Sequence, residues 1–289
     1  GLSLLASAGL ESDADDYYHG DYLIAWASSH HSELERHRAD PESLGRLAAG
    51  SFLKTLIQPA IEEKMNVKFD RWTSEYADIR EKGYPAKIIN LARAQGLIFD
   101  TEGATWMKTT AFGDDKDRVL ITKDGEPTYF FVDAGHYLET KERGFQKKIN
   151  IVGADHHGYV SRISAVAKLV GLDSVMIVMQ LVRLTEGGKE VRMSKRTGVY
   201  VTVDELINEV GLDQVRYFFL EKNPETHIDF DMALAKKRSK ENPVFYIQYA
   251  HARLASLQRK GMAAPSDFAY TALRTDEEQA LIRQILRFP

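Results

Sequence analysis

The sequence predicts an α/β fold in which parallel strands, buried on both faces, follow a largely helical insertion and precede an all-α segment. Three short apolar runs, at 129–132, 149–153 and 174–184, carry the strands, and a helical stretch from Gly158 to Val170 stopped by Gly171 lies between the last two. Strands of that length joined by a helix of about a dozen residues form a doubly wound sheet with ligands at the strand carboxyl ends. Before residue 128 and after residue 213 the apolar residues recur mostly three and four apart, the period of helices.

Taken in order, Leu44, Leu47, Ala48, Phe52 and Leu56 mark one helix, and Ile88, Leu91, Ala92 and Gln95 mark another that Gly96 stops. Between them, residues 66–72 alternate as a strand does, and 104–108 with 118–121 predict a small β-element. Gly187-Gly188 predicts a tight hairpin. Thr202-Val203-Asp204-Glu205 is a capping box for a helix that ends at Gly211. Beyond 213 the pattern is helical throughout, with Val244, Ile247, His251 and Leu254 on one face. The expected segments are therefore 1–127, 128–229 and a helical domain over 230–289. Gly1 stands where a methionine would begin a gene product, and a helical pattern runs uncapped into Pro289. Both ends are expected to be internal to a longer polypeptide.

The 289 residues carry 38 Lys and Arg against 42 Asp and Glu, a net charge of -4. This balance gives no global attraction to nucleic acid, so an RNA contact must come from local basic clusters. The absence of cysteine excludes disulfides, thiolate metal sites and cysteine nucleophiles. No run approaches the roughly 18 apolar residues of a membrane helix, and the N-terminus lacks the pattern of a signal peptide. A cytoplasmic protein with no membrane partner is expected.

Four groups of residues carry chemistry. Arg192, Lys195 and Arg196, with Met193 and Ser194 between them, put three cations into one loop between the hairpin and the capping box. Contacts of that kind to phosphate are about twice as strong as neutral hydrogen bonds, although a solvated basic turn reads the same way. Gly153-Ala154-Asp155 ends a buried run, where glycine lets a nucleotide approach and a carboxylate reaches ribose hydroxyls; a structural turn would fit equally. Tyr129 and Asp133, read as lying at a strand end, could stack on and ion-pair with a guanidinium, or be a buried tyrosine and a helix-capping aspartate. His156 and His157 beside Asp155 lack a remote third ligand and make a poor tetrahedral site, so no metal site is expected. His30-His31 reads as a helix start. A phosphate-binding Gly-x-x-x-x-Gly-Lys-Ser/Thr loop and a Gly-x-Ser-x-Gly nucleophile elbow are both absent from the sequence.

Val191-Arg192-Met193-Ser194-Lys195-Arg196-Thr197-Gly198, with Gly153-Ala154-Asp155-His156-His157-Gly158-Tyr159, resembles the signatures of class I aminoacyl-tRNA synthetases. Glu241-Asn242-Pro243-Val244-Phe245-Tyr246-Ile247-Gln248-Tyr249-Ala250-His251-Ala252-Arg253 narrows the resemblance to arginyl-tRNA synthetase. Further blocks in the same order, at Gly20-Asp21-Tyr22, Phe69-Asp70, Ser74-Glu75 and 112–120, carry it through nearly the whole chain.

The resemblance implies the second half of a Rossmann-type (HUP-like) nucleotide-binding catalytic domain with a helical insertion, then the start of an anticodon-binding all-α domain. It implies an arginine-tRNA ligase that activates L-arginine with ATP and Mg2+ to arginyl-adenylate and passes it to tRNA(Arg). It further implies a monomer without a tightly bound cofactor. On that reading Lys195, Arg192, Ser194 and Met193 are catalytic, Gly153, Asp155 and Arg196 bind ATP, and Tyr129, Asp133 and His156 bind arginine. The family's other ATP signature, His-Ile-Gly-His, has no match in residues 1–127, so the chain by itself is expected to be an inactive fragment. Two rival readings stay open: a non-catalytic Rossmann interaction module, and another class I synthetase or nucleotidyltransferase.

Overall fold

The computed structural model describes residues 1–190, 201–261 and 273–287. It opens with four helices, α1 (Leu2–Ser7), α2 (Asp21–Ser29), α3 (His31–Arg36) and α4 (Pro41–Phe52). Leu4, Leu5, Leu23, Trp26, Leu34 and Leu44 close a small core among them. Pro41 at the first position and the Asp40 carboxylate, which accepts from the Ser43 amide at 3.1 Å, fix the start of α4. His31 begins α3, as expected for a helix start.

Wide π-helical turns at Leu53–Ile57 and Pro59–Lys64 continue the chain. The strand expected over 66–72 does not form. Asn66 has a φ of 52°, in the left-handed region, and Arg216 Nη1 donates to the carbonyls of Met65 and Asn66 at 2.9 and 3.1 Å. Trp72 Nε1 donates to Glu62 at 2.7 Å, and the Phe69 and Trp72 rings meet edge to face at 5.1 Å. Residues three apart point to opposite faces of a strand, so this contact requires a chain folded on itself. The alternation was local and had no sheet edge to pair with.

After a third π-helical turn (Glu75–Arg80), helix α5 (Tyr84–Ala94) ends before Gly96. It leads to an antiparallel meander of β1 (Ile98–Thr101), β2 (Ala104–Met107) and β3 (Arg118–Ile121). The expected β-element is present, with β1 added to it.

Residues 129–132 are a helix start, which corrects the strand reading. Thr128 caps α6 (Tyr129–Glu142), its hydroxyl accepting from the Phe131 amide at 3.3 Å. Phe130, Phe131, Ala134 and Tyr137 are buried with Ile88 and Ala92 of α5 and with Leu120. A helix enclosed this fully is apolar on most sides and cannot be told from a strand by a four-residue run. A Cβ at Gly135 would sit 3.0 Å from Ile79 and 3.2 Å from Tyr84, so glycine sets how closely α6 packs on the 75–80 turn and α5.

Strand β4 (Lys147–Gly153) then pairs in parallel with β5 (Asp173–Met179), from Lys147 opposite Asp173 to Gly153 opposite Met179. Helix α7 (Val160–Val170) crosses between them and ends at Gly171, whose φ is 66°. Tyr137 reaches Asn150 and Ser174, so α6 lies on that face of the pair. Ile149, Ile151 and Val175 on the alternate face are exposed, so among the described residues the pair is covered on one face, not on both as its apolar runs predict.

The apolar run 174–184 breaks in two, because the Gln180 amide leaves the pair to donate to the Pro224 carbonyl at 2.8 Å. Strand β6 (Val182–Glu186) follows, and Gly187 and Gly188, with φ of 57° and 77°, turn it into β7 (Lys189–Glu190). Two positive φ values are what a tight hairpin requires. The capping box at Thr202 opens α8 (Val203–Val210), which ends at Gly211. Helix α9 (Leu212–Leu220) leads to β8 (Ile228–Asp231), which lies parallel to β6, and to α10 (Met232–Lys236). Strand β8 interrupts the helical region expected beyond 213, because Phe230 is fully buried against Phe218 and Phe219.

The chain divides into two compact units, Gly1–Lys236 and Lys237–Pro289. In the second, Asn242 caps α11 (Pro243–Arg259) by accepting from the Val244 amide at 3.0 Å, and α12 (Asp276–Arg287) follows. Of the expected α11 face, Val244 is buried, while Ile247, His251 and Leu254 are exposed. Among the described residues no helix is long and apolar enough to cross a membrane.

Candidate active site

Strand β4 ends at Gly153, and the chain turns at once into a 3-10 segment, Ala154–Tyr159, that delivers it to α7. The Asp155 carboxylate folds back over Gly153, so closely that a Cβ there would lie 2.5 Å from its Oδ1. A side chain at 153 would push that carboxylate out of place. Asp155 and His156 are both exposed, with His156 Nε2 3.8 Å from Asp155 Oδ2. This is the strand-end position at which parallel sheets receive ligands.

Asp133 comes to the same place from α6. Its Oδ2 accepts from the Tyr159 hydroxyl at 2.7 Å, and its Oδ1 accepts nothing from the described residues. Burial raises its pKa above the ordinary carboxylate value; the bond from Tyr159 opposes that, Glu75 adds to it, and Lys148 and His156 work against it. Burial and the bond to Asp133 push the Tyr159 hydroxyl well above its ordinary pKa, so it remains a donor. The Arg162 guanidinium lies 4.7 Å from the centre of the Tyr159 ring, and the His156 ring meets it edge-on at 6.1 Å.

Tyr129 is 81% exposed at the first position of α6, one turn before Asp133 on the same helix face. The two are therefore placed by a helix rather than by a strand end, and Thr128, not Asp133, is the helix cap. Arg192, Met193, Ser194, Lys195 and Arg196 lie outside the described residues. The β6–β7 hairpin before them and the capping box after them are as expected.

Behind Asp133 lies a polar layer the sequence reading missed. Lys148 Nζ donates to Thr140 at 3.0 Å and sits 4.3 Å from the centre of the Tyr137 ring, and burial lowers its pKa to about 8. Burial, with the nearby cations Lys148, Arg143 and Arg71, lowers His136 to about 4. Glu139 is buried within 3.3 Å of Arg71 and 3.7 Å of Arg143. Only a helical reading of 129–142 would have aligned His136, Glu139 and Thr140 with Asp133. Tyr159 was visible in the quoted Gly-to-Tyr block, but no local pattern gave it a partner 26 positions earlier.

The sequence matches the family model described as tRNA synthetases class I (R), catalytic domain, over residues 52–252. The chain belongs to this synthetase family. A protein named arginine-tRNA ligase from Carboxydothermus hydrogenoformans is 41% identical over 95% of the chain and 52% of its own length. The namesake from Elusimicrobium minutum is 40% identical over 100% of the chain and 54% of its own length. The chain thus spans about half the length of the curated relatives it matches. A solved structure provisionally assigned as an arginyl-tRNA synthetase, from Campylobacter jejuni, superposes with a TM-score of 0.74 at 31% identity, over 90% of this chain and 58% of that one. The Thermus thermophilus arginyl-tRNA synthetase superposes with a TM-score of 0.69 over 99% of this chain and 59% of that one. At 20% identity it supports the fold alone. The synthetase match includes every site residue named above, from Tyr129 to Arg196, and begins after the small N-terminal core.

Proposed function

We propose that the protein carrying this chain is an arginine-tRNA ligase, using ATP with Mg2+ to charge tRNA(Arg). The observation that carries the reading is Asp133: half-buried, anchored through one oxygen, open at the other, and adjoining a strand-end turn in a class I synthetase chain. A carboxylate so placed can accept the forked donors of a guanidinium, with Tyr129 one helical turn away to stack on it. His156 stands on the adjoining turn, its ring against that of Tyr159.

In this reading the arginine carboxylate attacks the α-phosphorus of ATP, and the bond to the bridging oxygen breaks, so that pyrophosphate leaves with the electron pair. A ribose hydroxyl at the tRNA terminus then attacks the carbonyl carbon of arginyl-adenylate, and AMP leaves. Gly153 and Asp155 receive the nucleoside, and Arg196 meets its phosphates. Arg192, Met193, Ser194 and Lys195 are the catalytic residues, and the charges of Arg192 and Lys195 stabilise the developing phosphorane. Residues 1–127 serve as a connective insertion, 128–229 as the catalytic half-domain, and the last segment as the start of an anticodon-reading domain. The same reading takes the protein to act in the cytoplasm as a monomer.

The test is arginine-dependent ATP–pyrophosphate exchange with tRNA(Arg) by the full-length protein and its Lys195→Ala variant. Turnover should fall by about 3 kcal/mol in barrier, roughly 150-fold, with arginine affinity little changed. Unchanged turnover would remove Lys195 from the mechanism, and exchange driven by another amino acid would overturn the arginine reading. Residues 1–289 alone should show no exchange, since they lack a His-Ile-Gly-His signature.

A further inference from the structure

We propose that the Tyr159 hydroxyl is a positioning group that fixes the Asp133 carboxylate for its ligand and ties it to the nucleotide-facing turn. This inference rests on the arginine reading of Asp133. Tyr159 is the last residue of the turn that starts at the end of β4, so its backbone belongs to the segment carrying Gly153, Asp155 and His156. Its hydroxyl, however, reaches across to α6 and bonds Asp133 Oδ2 at 2.7 Å. The Arg162 guanidinium lies over the ring, the His156 ring stands perpendicular to it, and it packs against the core shared by α6 and α7.

An aspartate carboxylate rotates almost freely about its last bond, whereas a bidentate guanidinium requires it in one plane. A donor fixed on Oδ2 removes that freedom and leaves Oδ1 directed to a ligand. A second consequence follows from charge. The groups acting on Asp133 are Glu75 of the 75–80 turn, Lys148 of β4, His156 and Tyr159 of the 154–159 turn, and Tyr137 on its own helix. Among them Tyr159 is the hydrogen-bond donor, so its removal makes the ionised carboxylate harder to keep.

The experiment is Tyr159→Phe in the full-length protein, read by arginine KM, ATP KM, turnover and the pH profile of kcat/KM for arginine. Arginine KM should rise about tenfold, equivalent to roughly 1.4 kcal/mol, with ATP KM within about twofold. The acid limb of the profile should move to higher pH, which a merely structural role would not produce. In an Asp133→Asn background the same change should add less than about twofold, because the shared interaction is already gone.

An unmoved acid limb with unchanged arginine KM, while Asp133→Asn still abolishes arginine use, would overturn the proposal and leave the arginine reading standing. An unchanged arginine KM in Asp133→Asn would instead overturn the reading itself. Equal losses for arginine and ATP with no pH shift would make Tyr159 a folding residue and also overturn the proposal.

Discussion

Asp114 and Asp133 are carboxylates withdrawn from water in two regions of the same unit, and their surroundings are opposite. Asp114, with its side chain 0% exposed, accepts from Arg118 Nε and Nη2 at 2.8 Å each and from the Ser161 hydroxyl at 2.7 Å. It thereby ties the loop before β3 to the first turn of α7. Arg118 above all, then Ser161, holds its carboxyl far below the usual range against the cost of burial. Asp133 has one donor, and burial leaves its pKa raised. A carboxylate with both oxygens engaged by donors of its own fold holds a structure together. One left half-satisfied beside a strand-end turn costs stability and keeps capacity for a ligand.

The sharpest way to break this comparison is Asp133→Asn in the full-length protein. Arginine KM should rise by a few hundredfold, about 3 to 4 kcal/mol for a buried charge deprived of its partner, with melting temperature unchanged or higher. A lower melting temperature with arginine KM intact would make Asp133 a structural residue like Asp114.

Asp114→Asn should do the reverse. It strands the buried Arg118 guanidinium at a cost of about 3 kcal/mol, lowering the melting temperature by roughly 6–12 °C, while arginine KM stays within about threefold. A thermal melt decides it, and an unchanged melt would mean that Asp115, which also contacts Arg118, suffices.

The two acids should also differ in sign with pH. The stability from Asp114 is complete above the unfolded carboxylate pKa near 4 and is lost as pH falls below it, because the folded form holds the proton less tightly. For Asp133 the folded form holds the proton more tightly, so stability declines as pH rises from about 4 through the raised value. Melts of the two Asn variants against wild type between pH 3 and 7 should diverge in opposite senses.

The smallest expected effect is that of His136, lowered to about 4 and kept neutral in the layer behind Asp133. Between about pH 6.5 and 4 the unfolded chain binds a proton that the folded chain refuses, so stability should fall there by about 1 kcal/mol after allowance for partial exposure. His136→Gln should flatten that slope; an unaltered slope would assign it to other groups.

Much of the architecture was legible because its signals are local. Gly96, Gly171, Gly187-Gly188 and the Thr202–Glu205 box each act through backbone geometry or a bond within four residues, and each does what its sequence predicts. The reading failed where contacts from distant segments outweighed local periodicity. Residues 129–132 are apolar because α6 is enclosed, and residues 66–72 alternate while Arg216, 150 positions later, takes up the Asn66 carbonyl. Strand β8 was hidden because Phe230 becomes a core residue only when α9 brings two phenylalanines to it.

By itself the sequence determined the α/β class, the β4–α7–β5 crossover and the family. Those follow from residue type and short spacing. Tertiary structure alone decided that Tyr159 bonds Asp133, that Lys148, His136 and Glu139 form a half-buried layer behind it, and that Asp114 is held at both oxygens by Arg118 and Ser161. The physical reason is that a carboxylate's role depends on how many donors surround it and how much water it has lost. Both are set by segments tens of residues apart, which no local pattern records.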